Sequence, residues 1–131
     1  MPRKKTKTLT ELELGIMQVI WQLREATVQD VQDALAAEKR RLAQSSIRTM
    51  LAILVDKGYL TRRQDGRGFI YSPAVEKSEA DRRILKDLLD RAFKGSVAGL
   101  VAALFNTRMM SKKDFDTART LIREHEKRGQ R

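Results

Sequence analysis

Asp65-Gly66 stands between two short strand-prone runs, YLTRRQ and GFIYS, while the other periodic segments of the chain read as helix. Asp-Gly in that setting is a strong hairpin signal, and the Arg67-Gly68 that follows leaves the turn type open. Three helices precede it. Thr10 with Glu13 is a capping box, and Leu9, Leu12, Ile16, Val19, Ile20 and Leu23 form an apolar stripe behind it, with Trp21 on the flank. Thr27 with Asp30 opens a shorter helix through Val28, Val31 and Leu35. The third helix carries Ile47, Met50, Leu51 and Leu54 at i, i+3, i+4 and i+7, and Gly58 can end it by turning left-handed. Three helices followed by a hairpin is the winged form of the helix-turn-helix. A mainly α, winged helix-turn-helix domain is therefore expected over residues 9–73.

After Pro73 the texture changes. Ser78 starts a helix with Ile84, Leu85, Leu88, Leu89, Ala92 and Phe93 on its apolar side, closed at Gly95. A short helix rich in Gly and Ala follows from Ser96 to Thr107, with Leu100 and Leu104 in it, and Ser111 with Asp114 caps a last one carrying Phe115, Ala118 and Ile122. Three short helices bury little surface as a monomer. Their stripes predict that residues 74–128 form a three-helix dimerisation domain. Its expected contacts are Leu85, Leu88, Leu89 and Phe93 from the first helix, then Leu100, Leu104, Phe115 and Ile122.

The net charge of +10 favours a polyanionic partner, either nucleic acid or an anionic membrane surface. That charge divides evenly about Pro73, so only local runs discriminate. One is the stretch PRKKTKT, where Arg3, Lys4, Lys5 and Lys7 have no acidic neighbour and residues 1–8 read as a disordered basic arm. Another is the hairpin, with Arg62, Arg63 and Arg67. The chain has no cysteine, which excludes disulfides, thiolate metal sites and cysteine nucleophiles and fits a reducing cytoplasm. His125 is the single histidine and is expected in solvent; the carboxylates are scattered, with no nucleophile–base pair and no metal-ligand spacing. Neither enzymatic activity nor a metal or other cofactor is expected. The run VAGLVAALF is too short to span a bilayer, and the basic N-terminus lacks the apolar stretch of a secretory signal, so no membrane insertion is expected.

The third helix has an unusual outer face for a chain in which 34% of residues are charged. Ser46, Thr49 and Ile53 lie along one line of it; Ser45, Thr49 and Ala52 form the neighbouring line, and Arg48 sits on the flank. Small hydroxyls and one guanidinium suit base edges in a major groove, where acidic groups would repel phosphate. Ser45, Ser46, Arg48, Thr49 and Ile53 are the base-reading candidates, and Arg62, Arg63, Arg67, Arg3, Lys4 and Lys5 the phosphate candidates. Ser45 and Ser46 also suit a helix cap, and the hairpin arginines a solvated tip. Trp21 and Tyr71 are expected as packing residues, since aromatics make up only 5% of the chain. Two rival readings keep the fold: a protein-interaction or RNA-associated winged helix, and a regulator gated by a small molecule bound in the C-terminal half.

LTELELGIMQVIW, ATVQDVQDAL, SSIRTMLAILVDKGYL and DGRGFIYSP, in that order, resemble the penicillinase-repressor family of BlaI and MecI type, with the copper-responsive CopY repressors as relatives. FKGSVAGLVAAL and MSKKDFDTARTLI resemble the family's C-terminal half. The resemblance implies a cytoplasmic homodimeric winged-helix repressor on double-stranded DNA. Its operators would be palindromic, often of TACA/TGTA type, and a membrane metallopeptidase sensor would trigger cleavage in the C-terminal half. Two positions depart from the pattern. Ile53 stands where the family usually has arginine, free to pack on a thymine methyl or to cover the neighbouring helix. Ala103-Leu104 stands where proteolytically controlled members have Asn-Phe. The cysteine cluster of the copper-responsive branch is absent, which excludes release through thiolates.

Overall fold

The computed structural model describes residues 8–129; the basic arm with Arg3, Lys4, Lys5 and Lys7 lies outside the described residues. The elements run α1 (Glu11–Leu23), α2 (Val28–Ala37), α3 (Gln44–Asp56), β1 (Leu60–Asp65), β2 (Gly68–Pro73), α4 (Lys77–Ala92), α5 (Val97–Asn106) and α6 (Lys112–Gly129). The chain divides into two compact units between Asp87 and Leu88. Among the described residues, no helix is long and apolar enough to cross a membrane.

In the first unit, Thr10 and Thr27 cap α1 and α2, each exchanging bonds with the acid three residues on. Ile16, Met17, Ile20, Val31, Leu35, Ile47, Leu51 and Leu54 are fully buried together and form the centre of the core. The buried face of α1 is rotated from the expected stripe. Met17 and Trp21 are buried, while Leu23 is 47% exposed at the helix end. The segment after the hairpin causes this: the Trp21 indole donates to the Val75 carbonyl at 2.9 Å, and Val75 packs on the core with fully buried Ala80.

Two helices end by the same device. The Arg40 amide donates to Leu35 and that of Lys39 to Ala36; the Tyr59 amide donates to Leu54 and that of Gly58 to Val55. These are Schellman closures, which require a left-handed residue. Lys39 supplies it at φ 64° and Gly58 at φ 84°. The second closure delivers buried Tyr59 and Leu60 straight into β1. Strands β1 and β2 are antiparallel from Leu60↔Pro73 to Asp65↔Gly68, leaving Gly66-Arg67 as a two-residue turn. Gly66 is its left-handed residue at φ 60° and Arg67 is not, the sign pattern of a type II′ turn. The outer edge of β2 is covered too: Ala26 and Tyr71 exchange backbone bonds of 2.8 and 3.0 Å, anchoring the wing to the loop before α2.

In the second unit, Ser96 caps α5 by accepting from the Gly99 amide, and Ser111 and Asp114 exchange bonds at the start of α6. Phe105 and Phe115 are in ring contact at 5.3 Å. Leu89, Phe93, Leu100, Leu104 and Phe115 are half-buried, and Leu85, in the first unit, is exposed. Leu88, Val97, Val101, Leu121 and Ile122 are exposed as well.

Candidate nucleic-acid interface

The interface is built on α3. Its buried face is Ile47, Leu51 and Leu54, so Ser45, Ser46, Thr49, Ala52 and Ile53 face outward and are exposed. The N-cap is Ala43, which makes no side-chain cap bond, so Ser45 and Ser46 do not serve as the cap. Their hydroxyls have no protein partner among the described residues. The Thr49 hydroxyl donates back to the Ser45 carbonyl at 3.0 Å.

Arg48 lies on the flank of α3 that turns toward the wing, and the neighbouring helix holds it there. The Arg48 guanidinium donates to Gln44 Oε1 at 3.2 Å, and the Gln44 amide donates to Gln29 Oε1 at 2.6 Å and Gln32 Oε1 at 3.2 Å. Gln29 in turn donates to Asp33 at 2.8 Å, and Gln32 to the Leu42 carbonyl at 3.0 Å. Sequence reasoning missed this glutamine network. Its signal was there in Gln29 and Gln32 three residues apart on one flank of α2, with Gln44 at the first position of α3.

The network borders an open cleft of about 500 Å³ between the N-termini of α2 and α3 and the hairpin. Thr27, Gln29, Arg48, Arg62, Arg67 and Phe69 are among its lining residues, with Asp65 the one acid. Three guanidinium groups and the positive end of α2 favour an anion there. Strand alternation separates the two arginines expected to act together. Arg62 stacks over the Phe69 ring at 4.5 Å on the cleft side, whereas Arg63 is paired with Glu25 at 3.1 Å. Trp21 and Tyr71 are packing residues, both buried.

A helix-turn-helix core closed by a two-stranded wing, with a bare, weakly charged third helix beside an arginine-lined cleft, defines the winged-helix class of proteins. The chain belongs to the penicillinase repressor family, which it matches over residues 9–124. It is 26% identical to the penicillinase repressor of Bacillus licheniformis over 125 residues, covering 95% of this chain and 97% of that one. To the methicillin resistance regulatory protein MecI of Staphylococcus aureus it is 24% identical over 118 residues, 90% of this chain and 95% of that protein. The solution structure of the DNA binding domain of the repressor BlaI aligns with a TM-score of 0.50 at 31% identity, covering 59% of this chain and 93% of that one.

Proposed function

We propose that this chain is a DNA-binding transcriptional repressor that acts as a homodimer on a palindromic operator. The observation that carries this reading is the exposed face of α3, bare of acid from Gln44 to Val55, set beside a cleft lined by Arg48, Arg62 and Arg67. The likeness to the BlaI DNA binding domain supports it. Residues 9–73 bind DNA: Ser45, Ser46, Arg48, Thr49 and Ile53 face base edges, while Arg62, Arg67 and the arm residues Arg3, Lys4 and Lys5 meet phosphate. Arg63 must give up Glu25 before it contributes. Residues 74–128 dimerise, burying Leu88 and Ile122 against a second copy.

Relief of repression by a cut at Ala103-Leu104, triggered by a membrane metallopeptidase sensor, carries one structural condition. That bond lies inside α5, half-buried, and the Thr107 amide and hydroxyl both donate to the Ala103 carbonyl. The helix must unwind before a protease can hold the bond in extended form.

A gel-shift titration at moderate salt tests the repressor reading, comparing DNA upstream of the protein's own gene with random duplex. The upstream DNA should bind more tightly. Arg67→Ala should weaken both complexes and reduce the salt slope by about one, with Arg63→Ala having the smaller effect. Equal affinity for the two duplexes, with no response to Arg67→Ala, overturns it.

A further inference from the structure

We propose that the middle of α3 reads the 5-methyl groups of thymine, through a strip made by Thr49, Ala52 and Ile53. The proposal rests on the DNA-binding reading and adds to it which base chemistry the helix selects. Ile53 is 38% exposed and Ala52 is exposed beside it. Thr49 belongs with them because of its hydroxyl: the proton is spent on the Ser45 carbonyl at 3.0 Å, so the γ-methyl is what the side chain has left to offer outward besides an acceptor lone pair. Single exposed apolar side chains are ordinary on protein surfaces. Three adjoining ones stand apart within residues 9–73, where the exposed side chains of α2 include Gln29, Asp30 and Asp33; other exposed apolar groups, such as Val101 and Ile122, lie in the half proposed to dimerise. In α3 the strip is bounded on one side by the hydroxyls of Ser45 and Ser46 and on the other by the end of the helix at Asp56.

A major-groove thymine is distinguished from cytosine by O4 and the C5-methyl group, and apolar side chains recognise the methyl. Thr49 and Ile53 are four residues apart, about 6 Å along the helix, which is about two base-pair steps. The helix therefore reads a half-site in two registers: hydrogen bonds from its first turn, and thymine methyls on one or two neighbouring base pairs from its middle.

The test uses the full chain. A preferred duplex is selected from a random pool, and each thymine in it is then replaced singly by uracil, which deletes only the methyl. One or two neighbouring thymines in each half-site should each weaken binding about fourfold when replaced, the effect of one buried methyl. Ile53→Ala should abolish the response at one of those positions and leave the rest of the profile unchanged, with its melting temperature confirming the fold. Tight binding of the selected duplex with no response to uracil anywhere overturns the methyl-reading proposal alone. So does an Ile53→Ala protein that still responds to uracil at every position. Failure to select any preferred duplex overturns the repressor reading instead.

Discussion

Glu13 carries two tasks, and only one of them was legible locally. As the third residue of α1 it closes the capping box with Thr10. Its Oε1 also accepts from the Lys57 ammonium at 2.8 Å, with the two side chains only 4% and 8% exposed, and Lys57 donates further to the Thr8 carbonyl at 3.0 Å. Burial pushes the Glu13 carboxyl up, but the Lys57 ammonium and the Thr10 amide outweigh it, so its pKa lies below the ordinary glutamate value. The unfolded chain then binds the proton more readily than the folded one. The pair's contribution is fully present above the unfolded glutamate pKa and fades as pH falls through the lower folded value. Glu13→Ala should destabilise the protein at neutral pH by about 3 kcal/mol, because it leaves a buried ammonium unpaired. It should also flatten the acid limb of stability against pH. Urea denaturation from neutral pH down to pH 3 reads both effects, and an unchanged acid limb would remove Glu13 as its source. The Lys57 partnership links residues 44 positions apart, which no local pattern in the sequence encodes.

At the scale of elements, most helix starts were legible because a capping box spans only four residues, and Thr10, Thr27 and Ser111 all act as read, whereas Ser78 lies second in α4, which begins at Lys77. The helix ends were half-legible. Gly58 was foreseen as the stop of α3, while the matching closure of α2 uses Lys39, which nothing in its residue type announces. A Cβ at Gly58 would meet nothing within 4 Å, so Gly58→Ala isolates the backbone cost of a left-handed residue. It should lower stability by about 1 kcal/mol, and Lys39→Gly should raise it by a few tenths to about 1 kcal/mol. Chemical-denaturation midpoints of the two variants should move in opposite directions. The wing shows the same division: Asp65-Gly66 announced the hairpin, but the sign of φ at Arg67 decided the turn type, and the Ala26 bridge fixed how the wing is held.

At the scale of the molecule, the proposed dimer gives the exposed apolar side chains their role. Leu88 is 41% exposed and Ile122 57% exposed, so charging either should leave helix content intact. Leu88→Glu with Ile122→Glu should shift the sedimenting species from dimer to monomer and weaken binding to a two-half-site operator more than to a single half-site. A dimer that survives both substitutions would move the interface elsewhere.

Sequence by itself determined the succession of elements, because caps, apolar periods and an Asp-Gly turn act over a few residues and need no distant partner. It also determined which face of α3 stays bare, since the buried stripe of a helix defines its opposite face. Tertiary structure alone decided which flank of α1 is buried, how Gln29, Gln32 and Gln44 hold Arg48, and that Arg62 opens on the cleft while Arg63 is held by Glu25. Each of those depends on groups brought together from separate elements. A side chain's partner across such a gap is set by the packing of whole helices and by the pleat of the wing, and local pattern carries no record of either.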